Sequence, residues 1–398
     1  MPTAMSHLIP TMVPSGAVSS LNYNVNPRPR QTTPPVAPSS LSAELQYDLN
    51  TPNSSLLEYL TATNPSPDLV KRASTPIRNR SPYFWFDVRN LRRWDDFSIP
   101  TMAHMPSLLP LLQHPLPITA LPTPPRQTQI PETLSALTEI CTNHHMHIVN
   151  AALKIAQGAP SHLSMRVLKP VPSRPQPDFV SNYASDVEET LSGVLRAHVV
   201  GVVLCYESWN SGMRTEAAPQ KVKYLEGLAH LHHFMREHGT RYGFIMTEIE
   251  LVCVRYGGPS ASKGGSDVPL FGFLELATPV QMSCHGPRDQ GTETFPAGEG
   301  GAGGVAAIQM TATLALFWLH MLAKEDPMPG QYGWRVDVGG PAALTRQNHR
   351  ERDEWVPTPI QKEKREAKTV RGWVWPDEQL SKKERGGVRK SAARASRF

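Results

Sequence analysis

A chain of 398 residues is long enough for two or three domains, but 39% hydrophobic and 7% aromatic residues, with more than half of its 39 prolines before residue 131, support one folded body of roughly 200 residues with long flanks. The net charge is +5, yet residues 361–398 alone hold 12 Lys/Arg against 5 Asp/Glu, or +7, leaving −2 on the rest, so a body basic over its whole surface is excluded. Cys141, Cys205, Cys253 and Cys284 form no CxxC pair and no apolar run approaches the ~20 residues of a membrane span, which excludes a zinc ribbon and a membrane helix and predicts an intracellular, reducing environment.

In chain order, residues 1–80 are rich in Pro, Ser, Thr and Asn and are expected to be disordered, with "SSLLEYL" as a short helix. Residues 81–129 combine an aromatic segment, "SPYFWFDVRNLRRWDDF", which wants burial, with a Pro-rich linker. The folded domain is expected over 130–325. It opens with a helix over 132–157, ended by Gly158, followed by "LSMRVLKPV" as a strand. "VVGVVLCYESW" is a continuous β-branched run, as in a strand covered on both faces, so Val203 and Leu204 are expected to be buried. A helix over 219–238 starts at a proline and ends at Gly239. "RYGFIMTEIELVCVRYGG" reads as two short strands, or one bent one, around Thr247–Glu250. "PLFGFLELATPVQM" is another strand, and "VAAIQMTATLALFWLHMLAKE" is an apolar helix. The order is that of an α/β sandwich. Residues 326–398 run from irregular chain to a basic tail.

Three pieces carry a resemblance. "RPQPDFV" supplies Asp178 after a Pro-containing turn, "VVLCYESW" supplies Glu207, and "QKVKYLEGLAHLHHFMREHGTRYGFIMTEIELVCVR" supplies a Gln-led helix and a strand pair. Together they resemble the fungal branch of the PD-(D/E)XK restriction-endonuclease-like superfamily, over roughly 130–325 and most densely over 174–256. The resemblance implies a mixed sheet flanked by helices. It further implies Asp178 and Glu207 as carboxylates for Mg²⁺ or Mn²⁺, and Gln220 and Tyr224 beside the metal on the helix. In such sites the metal polarises a phosphodiester and a nearby lysine steadies the developing charge.

The lysine is missing. In the plain register its place holds Trp209. If "ESW" instead matches a "PSW" that follows the motif in relatives, the acid falls on Leu204 and the lysine on Tyr206. Lys221 and Lys223 are the nearby cations that could act from another direction. Each candidate also has a plain structural explanation. Asp178 caps a turn, Glu207 faces solvent at a strand end, Gln220 sits in a first helical turn, and Tyr224 edges the core. The histidine clusters at 144–147 and 230–233 lack the HExxH form and read as partly exposed helix residues. The basic run Lys382, Lys383, Arg385, Arg389 and Lys390 reads as a nucleic-acid contact or nuclear-import patch. Three functions stay open: a degenerate nuclease-like domain that binds nucleic acid or protein with little or no cleavage, an active Mg²⁺-dependent nuclease, and an unrelated α/β interaction module.

Overall fold

The computed structural model describes residues 53–62, 64–71, 82–126, 129–169, 171, 175–190, 193–256, 271–283, 308–324 and 351–371. In chain order the elements are β1 (Asn53–Ser55), α1 (Leu56–Leu60), β2 (Asn90–Arg93), α2 (Ile99–Ala103), α3 (Leu108–Gln113), β3 (Pro115–Pro117) and α4 (Leu134–Cys141). A π-helical turn, Thr142–Met146, leads directly into α5 (His147–Gln157). Then come β4 (Ser164–Val167), β5 (Phe179–Asn182), β6 (Val199–Val203), α6 (Ala218–Glu237), β7 (Tyr242–Met246), β8 (Glu250–Tyr256), β9 (Phe273–Leu276), β10 (Val280–Gln281), α7 (Ala312–Leu322) and α8 (Gln361–Arg371).

Eight strands form one mixed sheet in the order β2-β9-β8-β7-β6-β5-β4, with β10 also pairing to β8; β1 and β3 form a separate pair. β6 and β7 are parallel, and α6 makes the crossover that such a pair requires. The other pairs along the path are antiparallel except β2 with β9. The chain is thus mixed α/β, as the element order predicts.

The alternation of side chains along β6 explains why its run is apolar throughout. Val199 and Val203 enter a core under α5 and α7, while Val200 and Val202 enter a second core under α6. Gly201 is required between them, because a Cβ there would drive into the Phe244 ring. Val203 is fully buried as expected, but Leu204 is only half-buried: its N–H still reaches Met246 O at 3.0 Å, after which the chain leaves the sheet. The strand within 199–206 is therefore central, flanked by β5 and β7, but it ends at Val203, and residues 204–206 lead out of the sheet.

Two sequence boundaries need correction. The expectation of disorder up to residue 80 fails for 53–62 and 64–71. Leu56, Leu60 and Val70 are buried in the first core, and α1 has a full capping box between Ser55 and Glu58. The partners that hold it lie far along the chain: the hydroxyls of Thr311 and Thr313 both donate to Leu60 O at 2.6 Å. The aromatic segment is buried as it wants, with β2 at one end of the sheet and Phe86, Val88 and Trp94 in the core, but the stretch after it is not linker throughout, because α2 and α3 bury Met102, Leu108 and Leu112.

The C-terminal region is irregular only in part. Residues 351–356 run along β2. Asp353 accepts from Leu91 N at 3.0 Å, from Asn90 Nδ2 at 3.0 Å and from Arg92 at 2.8 Å, which closes that end of the sheet. Glu363 on α8 accepts from Trp85 Nε1 at 3.0 Å. At the other end, the Asn150 side chain bonds both Met165 N and Met165 O at 2.8 Å, occupying the outer edge of β4. The patch 382–390 lies outside the described residues. No helix among the described residues is long and apolar enough to cross a membrane.

Candidate functional site

The strand directions bring the ends of β6 and β7 and the starts of β5 and β8 to one edge of the sheet. Three acids lie there. Asp178 immediately precedes β5, and its Oδ2 accepts the Val203 N–H at 2.8 Å. Burial pushes its carboxyl up to about 6, against the opposing effect of that N–H. It keeps a partly exposed surface, so burial here means protein packed around most of the group, not complete enclosure.

Glu248 and Glu250, in the turn and start of the strand after β7, are buried. Glu248 accepts Val70 N at 2.9 Å and Tyr206 N at 2.7 Å. Glu250 accepts Ser211 N at 2.5 Å and Ser211 Oγ at 2.8 Å. Both carboxylates are therefore spent on fixing the chain that leaves β6. Asp178 and Glu248 lie close enough to Cys141 that, after burial itself, their charges push its thiol up. Glu248 and Glu207 act likewise on Cys205, pushed up to about 11. None of this makes a reactive thiolate.

Glu207 does not join the set. It sits exposed in the turn Tyr206–Ser208, four residues beyond the last residue of β6, with no hydrogen bond or ion pair to a described residue. Asp178 Oδ2 is tied to the Val203 N–H, and Glu207 is exposed in the turn beyond β6. Among the described residues no group of three or more His, Cys, Asp or Glu could hold a metal ion. Lys221 and Lys223 are half-buried and exposed, and neither forms an ion pair with a described acid.

Trp209, in the plain lysine place, is 1% exposed. Its indole stacks on Tyr224 at 5.7 Å and 10°, and its Nε1 donates to Tyr224 O at 2.9 Å. A Cβ at Gly227, one turn further along α6, would collide with the same indole. Gln220 is half-buried in the first turn of α6, and its Oε1 is buried without a partner. Gln220 and Tyr224 therefore share a face of α6, as their spacing predicts. On that face a cavity of about 320 Å³ opens, walled by Trp209, Tyr224, Val252 and Leu276 and bordered by Arg93 and Arg214.

The histidines divide. His144, His147, His230 and His233 are half-buried, as expected, but His145 and His232 are fully buried. The π-helical turn explains His145, because its wider winding rotates one histidine of the cluster into the core.

Sequence reasoning missed Glu248, Glu250, Arg214 and the docked strap around Trp355. For the two acids a signal existed: "TEIE" between two apolar strands is a turn in which Thr247 Oγ1 accepts from Glu250 N at 3.0 Å. The role of the strap, which places Trp355 over Arg214 at 5.2 Å, has no local signal. No protein-family model, no curated protein and no solved structure matches this chain.

Proposed function

We propose that this chain is a degenerate nuclease-like body that binds nucleic acid or a protein partner and does not cut phosphodiester bonds. The observation that carries the reading is the state of the lysine place. Trp209 there is buried, stacked and hydrogen-bonded inside the core, and neither Lys221 nor Lys223 pairs with a described acid. A buried indole supplies one neutral N–H, already used, and no cation to steady a pentavalent phosphate. The alternative register leads to the same outcome, since Leu204 and Tyr206 carry neither a carboxylate nor an ammonium. The similarity of the quoted motifs to the PD-(D/E)XK superfamily supplies the nuclease half of this reading, and the mixed sheet with its acids at one edge is compatible with it. The charge of the tail, +7 over 361–398, supports nucleic acid as the partner.

The test is incubation of the full chain with single- and double-stranded DNA and RNA in millimolar Mg²⁺ or Mn²⁺, with binding followed in parallel by fluorescence anisotropy. Salt-dependent binding without cutting is expected. Cutting by the unmodified chain that disappears in Asp178→Ala overturns the proposal.

A further inference from the structure

The cavity on the α6 face has a chemistry of its own, independent of any relation to nucleases. Its walls are mainly apolar and aromatic, with Trp209, Tyr224, Val252 and Leu276 beside the polar Ser211 and Thr278. Two guanidiniums border it. Arg93 pairs with Asp95 at 2.8 Å, in the open. Arg214 has no carboxylate partner among the described residues; its guanidinium stacks on Trp355. Cation–π stacking fixes the direction of a guanidinium and leaves its N–H donors unsatisfied.

Tyr224, which also lines the cavity, adds a second donor: its side chain is 2% exposed and its hydroxyl makes no hydrogen bond to a described residue. Burial holds that phenol well above its usual range, so it stays a neutral donor, and the positive charge of Arg214 reaches it. The charge of Glu250 also reaches that phenol, but both Glu250 oxygens accept from Ser211, and Arg214 forms no ion pair with it. A small, mostly apolar cavity with a guanidinium and a phenol at its wall suits an anion with an apolar body.

We propose that this cavity binds a small organic oxyanion, a phosphate or carboxylate carried on a flat apolar ring, with Arg214 and Tyr224 holding the anion and the Trp209–Leu276 walls holding the ring. Metal and cleavage play no part in the site. A protein that neither cuts nor binds nucleic acid would therefore leave the inference standing.

Phenyl phosphate, benzoate, inorganic phosphate and phenol are titrated into the full chain by calorimetry at low salt, and again into Arg214→Gln and Tyr224→Phe. At least one of the two ring anions is expected to bind more tightly than both phosphate and phenol, which lack one half of the recognition. Arg214→Gln is expected to weaken it about tenfold or more, and Tyr224→Phe about threefold to tenfold. Both substitutions keep the side-chain volume close to native, and an unchanged melting temperature without ligand shows that the fold is retained. Comparing phenyl phosphate with benzoate distinguishes the two anions. Binding left unchanged by Arg214→Gln, equal binding of inorganic phosphate, or no binding of either ring anion at millimolar concentration overturns the proposal.

Discussion

Trp209 and Tyr224 hold each other twice, by a ring stack at 5.7 Å and by the indole N–H on the Tyr224 main-chain oxygen at 2.9 Å. That bond ties the turn after β6 to the first half of α6. The position that the resemblance would give to a lysine is thus part of the core. Truncation to Trp209→Ala is expected to cost about 3–5 kcal/mol of stability, as for other buried aromatics. Trp209→Lys is expected to cost at least as much, because it also buries an ammonium with no carboxylate to meet it. Urea denaturation of both variants measures this, and neither is expected to gain nuclease activity.

Asp178 predicts a pH dependence with a definite sign. Its folded-state carboxyl is raised to about 6 from an ordinary 3.8. Below the lower value the group is protonated in both states and costs nothing. Between the two, the unfolded chain ionises first and stability falls as pH rises; above about 6 the slope flattens. The full change has an upper bound of ~3 kcal/mol. Asp178→Asn keeps an oxygen for the Val203 N–H and is expected to remove this slope. Asp178→Ala removes the slope too but leaves the N–H unsatisfied, at about 1–3 kcal/mol. Denaturation curves of the three proteins across pH 4–7 distinguish these outcomes.

Glu248 holds two remote main-chain donors, Val70 N and Tyr206 N. Its replacement by alanine is expected to cost roughly 1–3 kcal/mol for each donor left buried. Hydrogen exchange at those two amides is expected to speed up together, whereas Glu248→Gln, which keeps one carbonyl oxygen, protects one of them. Exchange unchanged at Val70 in Glu248→Ala contradicts the tie.

Glu207 is the contrasting case. Exposed and without a partner among the described residues, it is expected to change stability by less than about 0.5 kcal/mol on replacement by alanine. Thermal melts in Mg²⁺ and Mn²⁺ are expected to coincide for Glu207→Ala and the unmodified chain. A metal-induced rise in melting temperature seen only in the unmodified chain contradicts this placement.

The sheet was largely legible because its strands obey local rules. β6 is β-branched and apolar on both faces, and α6 begins at a proline and gives way to Gly239, which has a φ of +61°. Asp178 was legible as a turn acid beside a strand. What sequence could not show is what each polar group does once folded. Glu207 reads as a strand-end acid, whereas Glu250 drew no such reading although it too stands at a strand end. One faces water and the other is buried against Ser211, a difference set by where the chain turns after Leu204. The packing of 53–71 and 351–371 was hidden for another reason. Neither segment has enough apolar residues to fold alone, and both depend on surfaces built by residues far away in sequence.

The strap at Asp353 also sets a timetable. It bonds Leu91 N across 262 residues of sequence, and β2 itself pairs with β9 at Phe273–Leu276. At ~5–20 residues per second, a ribosome needs roughly 15–50 s to synthesise that interval. Until β9 is made, β2 has no sheet partner, and its other edge waits for Asp353. A chain released before residue 353 would leave that edge open to its neighbours.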